Sequence, residues 1–546
     1  MTSWRGSIWS IRFTVFVSGA VVMALELVGS RLLAPAFGDS IFVWGSLIGV
    51  VMTSLAVGYY VGGRLADRDP SYATFSLITL TAGLFTILIP LSSPMILEAV
   101  YFSGFGERYG PVLASLLMLG VPTTLLGMVS PYSIKMAAES LVSVGGISGS
   151  LSSISTGGSI FGTFFTVFVL IPLFGNRQIV FGLGVVLVLV SLSSFRWRDR
   201  AVMLLLILVL MLPSTFIGGV ISSRTGTVIY SRETPYSTLT VVDKSVAGVR
   251  TLYLNNMPHS SMYMNGSNSA VFPYTDYFNL ATLFNPDFES ALFIGGGGFS
   301  GPKQFLEYYP GVSVDVVEID PDVVSVALEY FGVPDDPGLG VFVEDGRKFL
   351  DGAGLYDVIV LDAYSKTYVP FHLLTLEFFQ ELTSHLTEDG VIVFNVISSL
   401  VGDTSELLMA EYRTIAETMP QIYLFRTRSS SLSKIQNVIL IATMSPSRES
   451  VSSLVDRAEG LPERGDTLAG YVRTLFDSEG YAGEGLILTD DYAPATSLLN
   501  PITQSPYEGG DELIYGNSLN PFIIAGAWFT VFASVYALYS TMRNRG

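Results

Sequence analysis

Apolar positions are arranged along this chain in two distinct ways. Over residues 1–220, and again over 519–542, they form long and nearly unbroken runs, whereas 222–518 mixes short apolar runs with charged and polar positions. About 20 apolar residues in a helix cross a hydrocarbon core ~30 Å thick. The pattern predicts eight such spans, near 13–36, 41–63, 72–94, 111–131, 155–174, 177–195, 201–219 and 521–541. The first is too long, and too closely followed by others, to be a cleaved signal peptide. Between the seventh and eighth spans the period changes. Short β-like runs (Thr225–Tyr230, Ser237–Asp243, Val249–Leu254) predict a small antiparallel domain. Strands then alternate with helices. The strands are Ala291–Ile294, Val312–Val317, Val341–Val343, Tyr356–Leu361 and Val391–Val396; the helices are Pro302–Tyr308, Pro321–Tyr330, Leu374–His385 and Ser405–Thr418. Ile422–Phe425 and Asn437–Ala442 would close the sheet as a hairpin-like pair. Such alternation specifies a parallel sheet covered by helices.

The expected architecture is an α-helical membrane bundle of about eight spans joined to an α/β, Rossmann-like domain with a small N-terminal β-domain. The boundaries fall at 1–221 (membrane), 222–288 (β-domain), 289–518 (nucleoside-binding domain) and 519–546 (last span and tail). Composition agrees with a membrane protein: of 546 residues 49% are hydrophobic and 14% charged, and the mean hydropathy is +0.50. Charge divides along the same lines. Residues 1–220 carry 11 Lys/Arg against 8 Asp/Glu, so the net −18 is concentrated in the soluble region. That acidic region, in a chain with only six lysines, suits a protein living in high salt. Nucleic acid is excluded as a partner, because no basic stripe exists to neutralise phosphates. Zero cysteines remove disulfides and thiol chemistry, and three scattered histidines argue against a zinc site.

Basic residues also predict orientation. Arg5, Arg12, Arg64, Arg68, Lys135, Arg196, Arg198, Arg200, Arg543 and Arg545 fall on one side of the eight spans, and Arg108 and Arg177 on the other. Positive charge marks the cytoplasmic face. Both termini are therefore expected inside a multi-pass cell-membrane protein, with the soluble domain outside, although nucleoside chemistry would favour the cytoplasm. Glu26 and Arg31 lie within the first span. They are either satisfied inside the bundle or mark a substrate path. The small residues of Gly145–Phe165 would let helices approach closely.

The most specific stretch is Ala291–Asp362. An apolar strand feeds Gly295, Gly296, Gly297 and Gly298; a second strand ends in Glu318; two more end in Glu344–Asp345 and Asp362. Glycines let backbone approach a ligand, and an acid on the second strand can accept both ribose hydroxyls, so the pattern reads as a nucleoside site. Each acid also has a plainer reading: Glu318 as a solvated strand end, Asp345 as a helix cap before Gly346, Asp362 as a strand-end cap.

VEID (Val317–Asp320), EDGRKFL (Glu344–Leu350), YDVIVLDAY (Tyr356–Tyr364) and EFFQELTSHLTEDGVIVFN (Glu377–Asn395) together resemble the spermidine synthase, or polyamine aminopropyltransferase, family. TPYSTLTVVD (Thr234–Asp243) and LYLNNMPH (Leu252–His259) resemble its N-terminal β-domain. ELVGSRLLAP (Glu26–Pro35), SPYSIKMA (Ser130–Ala137) and LTDDYAP (Leu488–Pro494) resemble its membrane-fused branch. The resemblance implies a methyltransferase/spermidine-synthase-type fold, decarboxylated S-adenosylmethionine or S-adenosylmethionine as co-substrate without a prosthetic group, and a small amine or polyamine as acceptor. The lipid bilayer, and self-association as a homodimer, complete the expected partners. By position, Gly295–Gly297 and Glu318 would hold the donor nucleoside, Asp345 and Gly346 would sit by the adenine, and Asp362 would deprotonate or orient the amine. Tyr236, Asp276 and Tyr364 would line the acceptor side.

Several positions depart from the family pattern. Its glycine loop reads GGGDG, but here no acid follows Gly297. The tyrosine–glutamine pair is Tyr236–Ser237, the YHE element is Tyr274-Thr275-Asp276, and the second acid of D-x-x-D is Ser365. Each lost carboxylate removes a charge-assisted bond worth ~1.5–3 kcal/mol. Tyr368 and His372 follow Asp362 where the family places a lid, His372 being structural or catalytic; Asp490–Asp491 and Tyr492 form a turn against the sheet or belong to the site. Three functions fit: an aminopropyltransferase-like enzyme, an S-adenosylmethionine-dependent methyltransferase, or a non-catalytic nucleoside- or polyamine-binding or transport-associated membrane protein.

Overall fold

The computed structural model describes residues 8–192 and 222–503, except 39, 69, 102, 104, 139–143, 224–225, 235, 256, 364–368, 429–430, 479–480 and 482–484. They form two compact units, which divide close to Ser223.

The first unit is helical. Its helices are α1 (Ile8–Phe37), α2 (Ile41–Arg68), α3 (Tyr72–Tyr101), α4 (Gly106–Ala137), α5 (Val144–Phe165), α6 (Ile171–Leu173) and α7 (Asn176–Leu192). Among the described residues five helices are long and apolar enough to span a membrane, with Asn176–Ser191 a shorter apolar one. The first four match the expected spans. The fifth does not: α5 begins at Val144, eleven residues before the predicted start, and runs through a π-turn (Thr166–Leu170) to Leu173. The serines and glycines of 145–158 lower hydropathy without breaking the helix, so apolarity alone misplaces its beginning. The predicted spans 201–219 and 521–541 lie outside the described residues. Small residues set the packing. A Cβ on Gly158 or Gly162 of α5 would strike the α1 backbone at Phe16 or Ala20, and one on Gly62 of α2 would lie 2.6 Å from Met128 Cα of α4. Phe161 and Phe164 of α5 and Phe168 of the π-turn are exposed.

The second unit is built on two sheets. Strands β1 (Ser222–Ser223), β2 (Gly226–Glu233), β3 (Thr238–Lys244), β4 (Val249–Leu254) and β5 (Met257–Tyr263) pair in order, β2 to β5 as an antiparallel meander. The other sheet holds β6 (Ser290–Ile294), β7 (Ser313–Glu318), β8 (Leu339–Val343), β9 (Tyr356–Leu361), β10 (Leu386–Ser398), β11 (Gln421–Arg426), β12 (Gln436–Thr443) and β13 (Leu475–Phe476). Its order is β13-β11-β12-β10-β9-β6-β7-β8. The five strands from β10 to β8 run parallel, and the expected pair β11–β12 adds on antiparallel through β12. Ile359 and Leu361 face one apolar layer, Val358 and Val360 the other, so the parallel strands are apolar on both faces. The meander packs against the larger sheet's helices. Leu239, Val241 and Leu252 pack on Val323, Val326 and Phe331 of the helix Pro321–Tyr330 and its end, and Arg250 donates to the Tyr330 carbonyl. β5, which the apolar pattern missed, carries Ser260 to the glycine turn.

Candidate active site

The carboxyl ends of β9, β6, β7 and β8 lie side by side and bring Asp362, the glycines, Glu318 and Asp345 to one edge. Gly295 has φ +98°, and a Cβ there would collide with the Asp362 carbonyl. Gly297 has φ +49°, and its Cβ would lie 2.7 Å from Ser260 Oγ. Only glycine satisfies the first position without strain. Backbone bonds from Gly295 N to Val317 O and from Asp362 N to Ile294 O, each 2.9 Å, stitch the turn to its neighbours. Gly298 N donates to Ser260 Oγ at 2.9 Å. A Cβ at Gly298 would lie 2.8 Å from Ser260 Cβ and 3.0 Å from Phe331 Cδ1, so the space an acidic side chain would occupy is filled.

Glu318, half-buried, completes this turn. Its Oε2 accepts from Gly296 N (3.0 Å) and Gly297 N (3.3 Å), and its Oε1 from Asp320 N (3.1 Å). A carboxylate offers about four acceptor sites, so roughly one on Oε1 remains for a ligand hydroxyl. Burial raises the Glu318 carboxyl above its ordinary range, and the three N–H donors work against that rise. Neighbouring Asp320 caps the next helix through Asp322 N and accepts from Thr234 Oγ1 at 2.6 Å, which anchors the β2–β3 loop.

Asp345 is a helix N-cap: its Oδ1 accepts from Arg347 N and Lys348 N at 3.0 and 3.1 Å. Its Oδ2 lies 3.0 Å from His372 Nε2. The following residue, Gly346, is buried, and a Cβ there would strike Ile294. Arg347 grips Asp490 with two bonds of 2.8 and 2.9 Å and also reaches Glu381 and the His372 carbonyl. Arg347 accordingly holds the Asp490 carboxyl below its usual range. Asp490 thus forms a turn clipped onto the sheet edge, and His372 buttresses Asp345.

Asp362 stands apart. Its Oδ1 accepts from Asn395 Nδ2 at 2.8 Å, and the Tyr274 hydroxyl supplies a second bond. Burial pushes its carboxyl up to about 7. Asn395 in turn accepts from Asn437 Nδ2 at 2.8 Å. Sequence reasoning assigned neither amide; the available signal was a lone amide inside the apolar runs VIVFNVI and NVILIA. His259, whose carbonyl is 3.4 Å from Tyr274 Oη, is held neutral by burial, which lowers its pKa to about 4.

The other expected acceptor-side residues are placed differently. Asp276 is buried and spent on Arg464 and on the Tyr471 hydroxyl, 2.8 Å away. Its expected role rests on its place two residues after Tyr274, but its partners lie 188 and 195 residues along the chain. Tyr236 is exposed on the β2–β3 loop, where its N–H donates to Thr234 Oγ1. Tyr364, with Ser365 and Tyr368, lies outside the described residues.

A parallel sheet whose glycine turn and acid-tipped strands converge at one edge defines an α/β protein of the Rossmann-like class. Residues 273–432 match the family model described as the spermine/spermidine synthase domain. The polyamine aminopropyltransferase of Vibrio vulnificus is 32% identical over 232 residues, 42% of this chain and 75% of that protein. A probable polyamine aminopropyl transferase of Bifidobacterium longum is 32% identical over 243 residues, 41% of this chain and 52% of that one. The crystal structure of a probable spermidine synthase from Corynebacterium glutamicum aligns with 48% of this chain and 96% of its own, at 19% identity and a TM-score of 0.41. The chain belongs to the spermidine synthase family.

Proposed function

We propose that this is a membrane-bound aminopropyltransferase-like enzyme that moves an aminopropyl group from decarboxylated S-adenosylmethionine to an amine. The observation that carries the reading is Asp362: a carboxylate beside the glycine turn, hydrogen-bonded by Asn395 and Tyr274, whose proton affinity burial has raised to about 7. A base poised near neutral pH suits proton transfer from an attacking amine. The sulfonium donor supplies an electrophilic carbon and a neutral thioether leaving group. The chain supplies the rest. Glu318 and the glycine amides would hold the ribose end, Asp345 and Gly346 would border the adenine, and Asp362 would take the proton as the amine nitrogen bonds to the carbon and the C–S bond breaks. Because Gly298 leaves no room for an acid, the donor's own ammonium needs another partner, and the acceptor side relies on Asp362 rather than Asp276.

Release of 5′-methylthioadenosine by the full-length protein, supplied with decarboxylated S-adenosylmethionine and a panel of amines, tests the reaction whatever the acceptor. Methyl transfer from S-adenosylmethionine instead would move the assignment to a methyltransferase. Membrane attachment is supported by the five long apolar helices, and we infer about eight spans, with the meander as an accessory domain. The basic-residue asymmetry favours cytoplasmic termini and an external second unit. A cysteine at exposed Ser447, in a chain without native thiols, would report the side by its reaction with an impermeant maleimide in intact cells. Labelling only after lysis would reverse that orientation.

A further inference from the structure

A line of polar groups runs inward from the reaction edge across three neighbouring strands. Asp362 follows β9, Asn395 sits on β10 and Asn437 on β12. The register pairs Asn437 with Ile397, two positions from Asn395, so both amides lie on the same face of the sheet. They are buried, at 2% and 3% exposure. Asn437 Nδ2 donates to Asn395 Oδ1, and Asn395 Nδ2 donates to Asp362 Oδ1, each at 2.8 Å.

A primary amide has nearly the same shape when turned over; what changes is which edge donates and which accepts. Turned over, Asn395 would present its carbonyl to Asp362, a contact that is favourable only when Asp362 carries a proton. Turned over, it would also set its NH2 against the NH2 of Asn437. We infer that Asn437 is a positioning residue: by donating to Asn395 it fixes that amide with an N–H toward Asp362, and so holds Asp362 as a proton acceptor. The catalytic meaning rests on the reading of Asp362 as the base, but the relay itself does not. Tyr274 is the titratable group that faces Asp362, and no charged group bears on it among the described residues. Burial and the relay therefore oppose each other at this carboxyl, burial favouring the proton and Asn395 favouring its loss.

The inference has a diagnostic variant. In Asn437→Asp a carboxylate accepts where an amide donated; Asn395 turns its NH2 toward it and shows its carbonyl to Asp362. The proton affinity of Asp362 must rise. The new charge would also raise it through space, so the neutral Asn437→Leu decides: a residue that only filled space would there lower stability and leave that affinity alone. The measurement is pH-dependent infrared difference spectroscopy on the purified full-length protein, following the protonated-carboxyl band that disappears in Asp362→Asn. The Asp362→Asn/Asn437→Asp double variant subtracts the new carboxyl. The expected result is a midpoint at least about one pH unit higher, a tenfold gain in proton affinity. Asn437→Leu, close in volume and unable to donate, should shift it in the same direction by less. An unchanged midpoint in Asn437→Leu would overturn the relay, as would persistence of the near-neutral band in Asp362→Asn. Full turnover by Asp362→Asn would remove the base assignment and leave the relay standing.

Discussion

The two halves of the site use different materials. The half formed by β6, β7 and β8 is made mostly of backbone: glycine amides, a left-handed turn and one carboxylate that ties them together. The half formed by β9, β10 and β12 is made of side chains, an acid and two amides in series. Backbone cannot titrate and cannot be exchanged, so the first half, under the proposed function, would recognise shape. The second half, on the relay proposed above, would hold a proton whose position depends on which way an amide faces. Under the proposed function, binding and chemistry fall on separate strands, and substitutions should separate them too.

The largest effect belongs to the side-chain half. Asp362→Asn should lower turnover about 1,000-fold, the middle of the range for removing a positioned base, while nucleoside affinity changes little. Equal loss of binding would make Asp362 a structural cap. The same residue predicts a pH dependence. A folded-state pKa of about 7 lies above the unfolded value of ~3.9, so ionising this group favours unfolding. Its penalty is absent at low pH, grows as pH rises between those values, and is complete above about 7. Asp362→Asn removes the penalty. Melting temperatures of wild type and variant should therefore diverge in the variant's favour between about pH 5 and pH 8. A constant difference across that range would contradict the placement of Asp362 in a desolvating site.

Next comes the backbone half. Gly295→Ala places a Cβ at φ +98° against the Asp362 carbonyl, which should destabilise the second unit by about 3 kcal/mol and weaken binding and turnover together. Retention of full nucleoside affinity would show that the turn can relax. Glu318→Gln is smaller but informative. Its NH2 must face either the two glycine N–H groups or that of Asp320, so at least one accepted bond is lost wherever it points. About 1–3 kcal/mol of affinity for a 5′-thioadenosine ligand should go, with a loss of thermal stability as the turn loosens. Unchanged binding would remove Glu318 from the ribose.

The same division explains what could be read along the chain. The backbone half needs glycines after a strand and acids at strand ends, which are local and leave a mark: Gly295–Gly297, Glu318, Asp345 and Asp362 all reach one edge. The side-chain half depends on pairings between distant segments. Asn395 and Asn437 lie 42 residues apart, and each alone is only an amide in an apolar run. Asp276 has a sequence neighbour, Tyr274, that does meet Asp362, but Arg464 and Tyr471 claim Asp276 itself, and no local pattern announces them. The turn-like TEDG (Thr387–Gly390) conceals that β10 already begins at Leu386, with a register shift before Val391. In the first unit, hydropathy located α1 to α4 but misjudged α5, where small residues serve helix contact rather than apolarity.

The smallest expected effect lies just outside both halves. Arg347 follows Asp345 and Gly346, and its two bonds to Asp490 fasten the LTDDYAP segment beside the strand end that would border the adenine. Thr375 Oγ1 donates to the same carboxylate at 2.7 Å, and Asp490 N donates to Glu377, so the clip has several partners. The Asp490 side chain is 43% exposed, and solvent screens a pair of that kind. Arg347→Gln should therefore cost about 1 kcal/mol or less in stability, read as a melting shift that shrinks in high salt. Its effect on nucleoside affinity should be no more than about threefold, because Asp345 keeps its own cap bonds and His372. A tenfold or larger loss of affinity, without a matching loss of stability, would mean that the clip shapes the adenine side directly and that the backbone half extends to Asp490.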